Sequence, residues 1–278
     1  MGVVPDAPPP VVESAPREVR VGDRVTVVTT LHDPAAAAGR PYVLVHGLGM
    51  SGDYWRGLAT VLARSGPVHA LDLPGFGRSP EPGPEDTLDI PSSGDELADV
   101  VRQVLAGPGP AGPLPSVEPR SARPVLVGHS MGTQIVVEAV ARHPGLTDLV
   151  VLVAPTVNVA ERTVARQAWR MLQDVLHATP RVWAVGLWSY AKVGPRWFLG
   201  KFRTMLGHDV EATLPQVHSR TLVVRGERDR VCPRDWCEHV TRLLPDAELR
   251  EVPGRGHETM IEQAGPVGAL IEELVAHG

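Results

Sequence analysis

The sequence predicts an α/β fold: a mostly parallel, doubly wound sheet of about eight strands with a helical insertion. Three observations lead there. Short runs of valine and leucine recur along the chain, near-continuous rather than alternating, as strands buried on both faces require. Helical stretches separate these runs, and strand–helix alternation puts helices on both faces of a parallel sheet. The chain has 278 residues, 43% of them apolar, which is enough for one large core and too apolar for wholesale disorder.

In chain order, residues 1–16 are proline-rich, lack the charged start and apolar run of a signal peptide, and read as a flexible leader. EVRVG (18–22) and VTVVTTLH (25–32) predict a hairpin closed by Gly22 and Asp23. Further strands are expected at 41–47, 68–73, 124–130, 148–154, 221–226 and 247–254. Helices are expected at 53–64, 94–105, 131–142, 234–244 and 258–276. Two segments break the rhythm. Residues 106–122 are rich in proline and glycine and read as a surface loop. Residues 155–219 lie between two clear strands and hold Trp169, Trp183, Trp188 and Trp197, with more cations than anions. Helical patterning over 166–176 suggests short helices outside the sheet, a cap over a core made of 17–154 and 220–278.

Composition narrows the function classes. The formal net charge of −5 leaves no basic field to hold nucleic acid. No run approaches the ~18–20 apolar residues that span a bilayer. The two cysteines, Cys232 and Cys237, have only His239 close by, short of the four ligands a structural zinc site takes. They read as thiols in a reducing compartment, so the expectation is a cytoplasmic protein without a metal.

The chemistry concentrates in Gly128-His129-Ser130-Met131-Gly132, between the strand PVLV and the helix TQIVVEAVARH. A serine on a sharp strand-to-helix turn has its hydroxyl pushed out above the sheet. The helix behind it points its N-terminus at the site, which favours developing negative charge. Asp229 follows the strand TLVVR, and His257 follows the strand ELREVP. Both therefore stand at carboxyl ends of strands, where open α/β sheets build their sites. A serine hydroxyl needs a base to take its proton, and the base needs a carboxylate to fix its tautomer. The order Ser130, Asp229, His257 fits such a triad on an elbow of this kind.

With these motifs the chain resembles the α/β-hydrolase superfamily, in its form with a cap between the sixth and seventh strands. HGLGMSGDYW (46–55), DLPGFGRS (72–79), GHSMG (128–132), GERD (226–229) and GRGH (254–257) carry the likeness, which runs from Glu18 to the C-terminus. The resemblance implies an oxyanion hole made by the backbone N–H groups of Leu48 and Met131. Thr133 departs from the pattern, since many relatives have a glycine there. DLPGFGRS is taken as a structural turn.

Serine at the elbow argues against the dehalogenases and epoxide hydrolases of the family, which use aspartate. An ester, thioester, lactone or activated C–C bond remains as the target, cleaved without a cofactor. The partner implied is a small-molecule substrate, for a monomer or homodimer. Trp183, Trp188 and Trp197 imply an apolar or aromatic acyl pocket, unless they only pack the cap onto the core. Two other classes compete. One is a hydrolase-fold receptor or interaction module, since fold does not fix function. The other is a dinucleotide-dependent oxidoreductase, because Gly47-x-Gly49-x-x-Gly52 follows a strand and Asp72 lies twenty residues beyond.

Overall fold

A computed structural model describes residues 11–83, 86, 89–107, 123–175, 193–262 and 264–277. Its strands are β1 (Val12–Glu13), β2 (Arg17–Val21), β3 (Arg24–His32), β4 (Tyr42–Val45), β5 (Val68–Asp72), β6 (Val125–His129), β7 (Leu149–Val153), β8 (Arg220–Gly226) and β9 (Ala247–Val252). They form one sheet in the order β1-β3-β5-β4-β6-β7-β8-β9, with β2 also paired to β3. The pairings of β1, β2 and β5 with β3 are antiparallel. From β5 to β9 every pairing is parallel.

The main helices are α1 (Arg56–Leu62), α2 (Ile90–Leu105), α3 (Met131–Arg142), α4 (Val164–Val175), α5 (Pro195–Gly207), α6 (Arg234–Leu243) and α7 (Ala264–Ala276). The valine and leucine runs serve two core layers at once. Along β4, Val43 and Val45 enter the layer shared with α2, α3 and α6, while Tyr42 and Leu44 enter the layer shared with α1 and α7. β6 and β7 alternate in the same way, Leu126, Val150 and Leu152 facing one layer and Val127, Val151 and Val153 the other. Each such side chain contributes about 1.5–3 kcal/mol of burial, which is why the central strands tolerate almost no polar residue.

Some boundaries differ from the sequence reading. Val12 and Glu13 pair with His32 and Leu31, so a short strand lies inside the segment expected to be a leader. This pairing is made by main chain, and a proline-rich sequence does not announce it. α2 starts at Ile90 rather than 94, because Asp89 caps it by accepting from Ser92 N at 2.7 Å and Pro91 fits the first turn. At the C-terminal end the helical residues are Thr259–Glu262 and Ala264–Ala276, within the helix expected over 258–276. Most of the proline-rich loop, residues 108–122, lies outside the described residues.

Because β4, β6, β8 and β9 run parallel, the residues that follow them emerge at one edge of the sheet. Leu48, Ser130, Asp229 and His257 are those residues. Between β7 and β8, α5 sends Trp197, Phe202, Met205 and Leu206 into the core layer of α2 and α3. Gln134 of α3 donates to Met205 O at 3.2 Å and ties this segment to the helix behind Ser130. Among the described residues no helix is long and apolar enough to cross a membrane.

Candidate active site

Ser130 has φ 52° and ψ −122°, a backbone region in which only glycine is comfortable. The packing around it explains why the turn is held there. A Cβ on Gly132 would collide with Val45 O and stand 2.7 Å from His46 O, and one on Gly47 would come within 3.0 Å of Ser130 Cβ. Both glycines let the elbow press against the loop after β4. Thr133, the departure from the family pattern, uses its hydroxyl to donate to Ser130 O at 2.6 Å and so closes the turn.

Holding a β-carbon in this conformation costs about 1–3 kcal/mol. Comparing Ser130→Gly with Ser130→Ala isolates that cost, since both variants lack the hydroxyl. The glycine variant should be the more stable by about 1 kcal/mol, after allowing for glycine's larger unfolded-state entropy. Urea unfolding of the two would check it, and equal midpoints would mean the elbow is unstrained.

Asp229 and His257 meet directly. His257 Nδ1 and Asp229 Oδ2 are 3.0 Å apart, and both residues are buried. The other carboxylate oxygen, Oδ1, accepts the N–H groups of Val231 and Cys232, each at 2.8 Å. Arg225 steadies the loop from below. Its guanidinium donates to the carbonyls of Cys232 at 3.1 Å and of Glu227 and Asp229 at 3.2 Å, and it pairs with Glu251. With Nδ1–H donated to the carboxylate, Nε2 of His257 carries a lone pair.

Two more histidines, His46 and His129, are buried at the site. His46 accepts the N–H of Leu73 on Nε2 at 3.0 Å and donates Nδ1–H to Gly47 O at 2.7 Å. It joins the loop after β4 to the turn after β5, and burial holds its pKa below the usual histidine value. His129 is fully buried, and burial pushes its pKa far down. Sequence reasoning assigned no role to His46, His129 or Arg225. The signal available was polarity: a histidine or arginine in a buried strand run must find partners for its nitrogens.

Other expected residues fall as follows. Leu48 and Met131 are buried beside the elbow, Met131 as the first residue of α3. Trp197 is buried, with its indole against Gly75 and the Lys201 ammonium 5.2 Å from its ring. Trp183 and Trp188 lie outside the described residues.

The dinucleotide reading needs the Asp72 carboxylate for a ribose, and this structure spends it elsewhere. Asp72 Oδ1 accepts from Gly52 N at 2.5 Å and Oδ2 from Arg78 N at 2.9 Å, with the residue 2% exposed. Its two formal elements, the glycine loop and the acid, bind each other. DLPGFGRS is thereby a structural turn, with Ser79 Oγ donating to Asp72 O at 2.5 Å.

Cys232 stands close to the pair, and potential ligand atoms of Asp229, Cys232 and His257 lie within 4.8 Å of one another. The carboxylate is already engaged by two N–H groups and the imidazole, while Cys232 Sγ donates to Pro155 O at 3.1 Å. That donor set is committed to holding the loop, and it makes a poor metal cage.

Comparison with known proteins places the chain in a family. A sequence model of the alpha/beta hydrolase family matches residues 42–270. A pimeloyl-(acyl-carrier protein) methyl ester esterase of Methylococcus capsulatus is 26% identical over 266 residues, covering 86% of this chain and 95% of that one. The enzyme of the same name from Aeromonas hydrophila is 43% identical over only 63 residues, 23% of this chain and 24% of its own length. Among solved structures, a thermophilic esterase from Thermogutta terrifontis superposes with a TM-score of 0.73 at 19% identity, over 95% of this chain and 99% of the other.

Proposed function

Because the chain belongs to the α/β-hydrolase family, we propose that it is a serine hydrolase that cleaves an acyl substrate through a covalent acyl-enzyme. The observation that carries this reading is the buried hydrogen bond between Asp229 Oδ2 and His257 Nδ1, at the sheet edge from which Ser130 emerges. Ser130 Oγ attacks the carbonyl carbon while His257 Nε2 takes its proton, and Asp229 stabilises the imidazolium that forms. The tetrahedral oxyanion is held by the N–H groups of Leu48 and Met131, aided by the N-terminus of α3. His257 then returns the proton to the leaving group. Water, activated by the same imidazole, releases the acid and restores Ser130.

The esterase relatives support an ester, thioester or lactone more than a C–C bond. Residues 155–219 act as a cap over the site, since α5 already packs beside α2 and α3 and reaches the turn after β5 through Trp197. Of the tryptophans expected at the acyl pocket, Trp197 is the one within the described residues, and it shapes the pocket from that cap.

A panel of p-nitrophenyl esters, aryl lactones and acyl thioesters tests the proposal. The native protein should turn over at least one ester class, with a chain-length optimum that Trp197→Ala displaces. No turnover above the Ser130→Ala background for any member would overturn it. It would favour a receptor or interaction role on this fold.

A further inference from the structure

We infer that His129 and Tyr54 form a positioning pair that sets the position of His257 relative to Ser130, an inference that rests on the triad proposed above. His129 is the last residue of β6 and the immediate neighbour of Ser130. Its Nε2 lies 3.1 Å from the main-chain carbonyl of His257, and its Nδ1 is bonded to the hydroxyl of Tyr54. The rings of His129 and His257 stand 4.8 Å apart, and the Trp55 ring meets that of His129 edge-on at 6.2 Å.

The bonding pattern fixes the tautomer. A carbonyl only accepts, so His129 carries its proton on Nε2 and donates it to His257 O. Nδ1 then accepts the Tyr54 O–H. The groups facing the ring are the Tyr54 hydroxyl, the imidazole of His257 and, farther off, the imidazole of His46. Burial, with the neighbouring His257 charge acting in the same direction, disfavours a second proton on His129. His129 therefore stays a neutral donor while His257 is charged during turnover. It cannot compete for the serine proton.

This linkage joins three pieces of chain distant in sequence. Tyr54 belongs to the short 3₁₀ turn Gly52–Trp55 after the oxyanion loop, His129 to the nucleophile strand, and His257 to the loop after β9. From Ser130 to the backbone of the base there is one peptide unit, one imidazole and one hydrogen bond. Slack in that bond moves His257 Nε2 against Ser130 Oγ, and misplacement of about 1 Å costs proton transfer about 10²-fold. The effect is on the rate of the chemical step and leaves substrate affinity alone.

The test uses a fluorophosphonate probe and the best ester from the panel, on His129→Phe, His129→Gln and Tyr54→Phe. Phenylalanine fills the ring volume and deletes both bonds, so labelling and kcat should fall about 10²-fold with KM unchanged. Glutamine can donate to His257 O and accept from Tyr54, so it should recover activity to within about tenfold of native. Tyr54→Phe keeps the strand and the ring packing and should give an intermediate loss in kcat. Native labelling rates in His129→Phe or Tyr54→Phe overturn the inference. So does a glutamine variant no faster than phenylalanine at equal thermal stability. Ser130→Ala and His257→Gln run alongside separate the two levels: label retained in Ser130→Ala, or full rates in His257→Gln, would refute the triad itself.

Discussion

Ser130→Ala should take up no fluorophosphonate, while the native protein takes up one equivalent, and ester turnover should fall on the order of 10⁶-fold. The expectation rests on how the elbow is built. Ser130 is held at φ 52° and ψ −122° by main-chain contacts on both sides, its N–H donating to Val153 O at 3.1 Å and its carbonyl accepting from Thr133. A strained backbone at a polar residue is retained where its geometry has a use. On the proposed mechanism its use is to turn the hydroxyl out of the sheet at the N-terminus of α3, where negative charge is stabilised. Fluorophosphonates react only with a nucleophile whose proton is being removed, so a label reports the working pair of Ser130 and His257 rather than exposure. A mass spectrum locating the adduct on another residue, or persistent labelling of Ser130→Ala, would remove Ser130 from the mechanism.

The sheet was legible because its strands are buried on both faces, and that burial writes itself as unbroken valine and leucine in β4, β6 and β7. The positions of Ser130, Asp229 and His257 after strands at one edge were legible for a related reason, since each of those strands is recognisable in sequence. β1 was not, because two residues paired through main chain leave no side-chain pattern. The start of α2 was hidden by Pro91, which breaks a helix interior but suits its first turn. The supporting groups were hidden more deeply. His46 answers Leu73, Arg225 answers the carbonyls around Asp229, and His129 answers Tyr54 and His257. Their meaning lies in partners that only the folded chain brings near. Asp72 shows the converse, a motif complete in sequence whose two halves turn out to satisfy each other.

Asp229→Asn should lower kcat by about 10⁴-fold, the loss that a wrong tautomer produces in serine triads. The local bonding says which way the new amide must face. Oδ1 of Asp229 accepts from Val231 N and Cys232 N, two buried donors that an amide nitrogen cannot serve. The asparagine oxygen therefore takes the Oδ1 position, and its NH₂ group is turned toward His257 Nδ1. That nitrogen must now accept, so the imidazole proton moves to Nε2, where it faces Ser130 and blocks proton transfer. The same substitution removes the negative charge that favours a protonated imidazole and places a donor against the nitrogen that would carry the second proton. The acid limb of kcat/KM should accordingly move to lower pH in the variant.

Other groups nearby do not imitate this shift. His46 and His129 are held below the usual histidine range by burial, and His69 is lowered to about 4. Glu96, raised to about 7 by burial, and Lys201, lowered to about 8, titrate within the scanned range. Both face the cavity bordered by Met131 and Leu97, and Asp229 is not among the charges that act on them, so their ionisation should be the same in both proteins. Profiles of kcat/KM from about pH 5 to 9 for native and Asp229→Asn protein therefore isolate His257. A limb that stays in place, or turnover that survives at the native rate, would mean another carboxylate orients the base. Asp235, six residues further along the chain, lies exposed on α6, so the same experiment on Asp235→Asn should leave both rate and limb where they are.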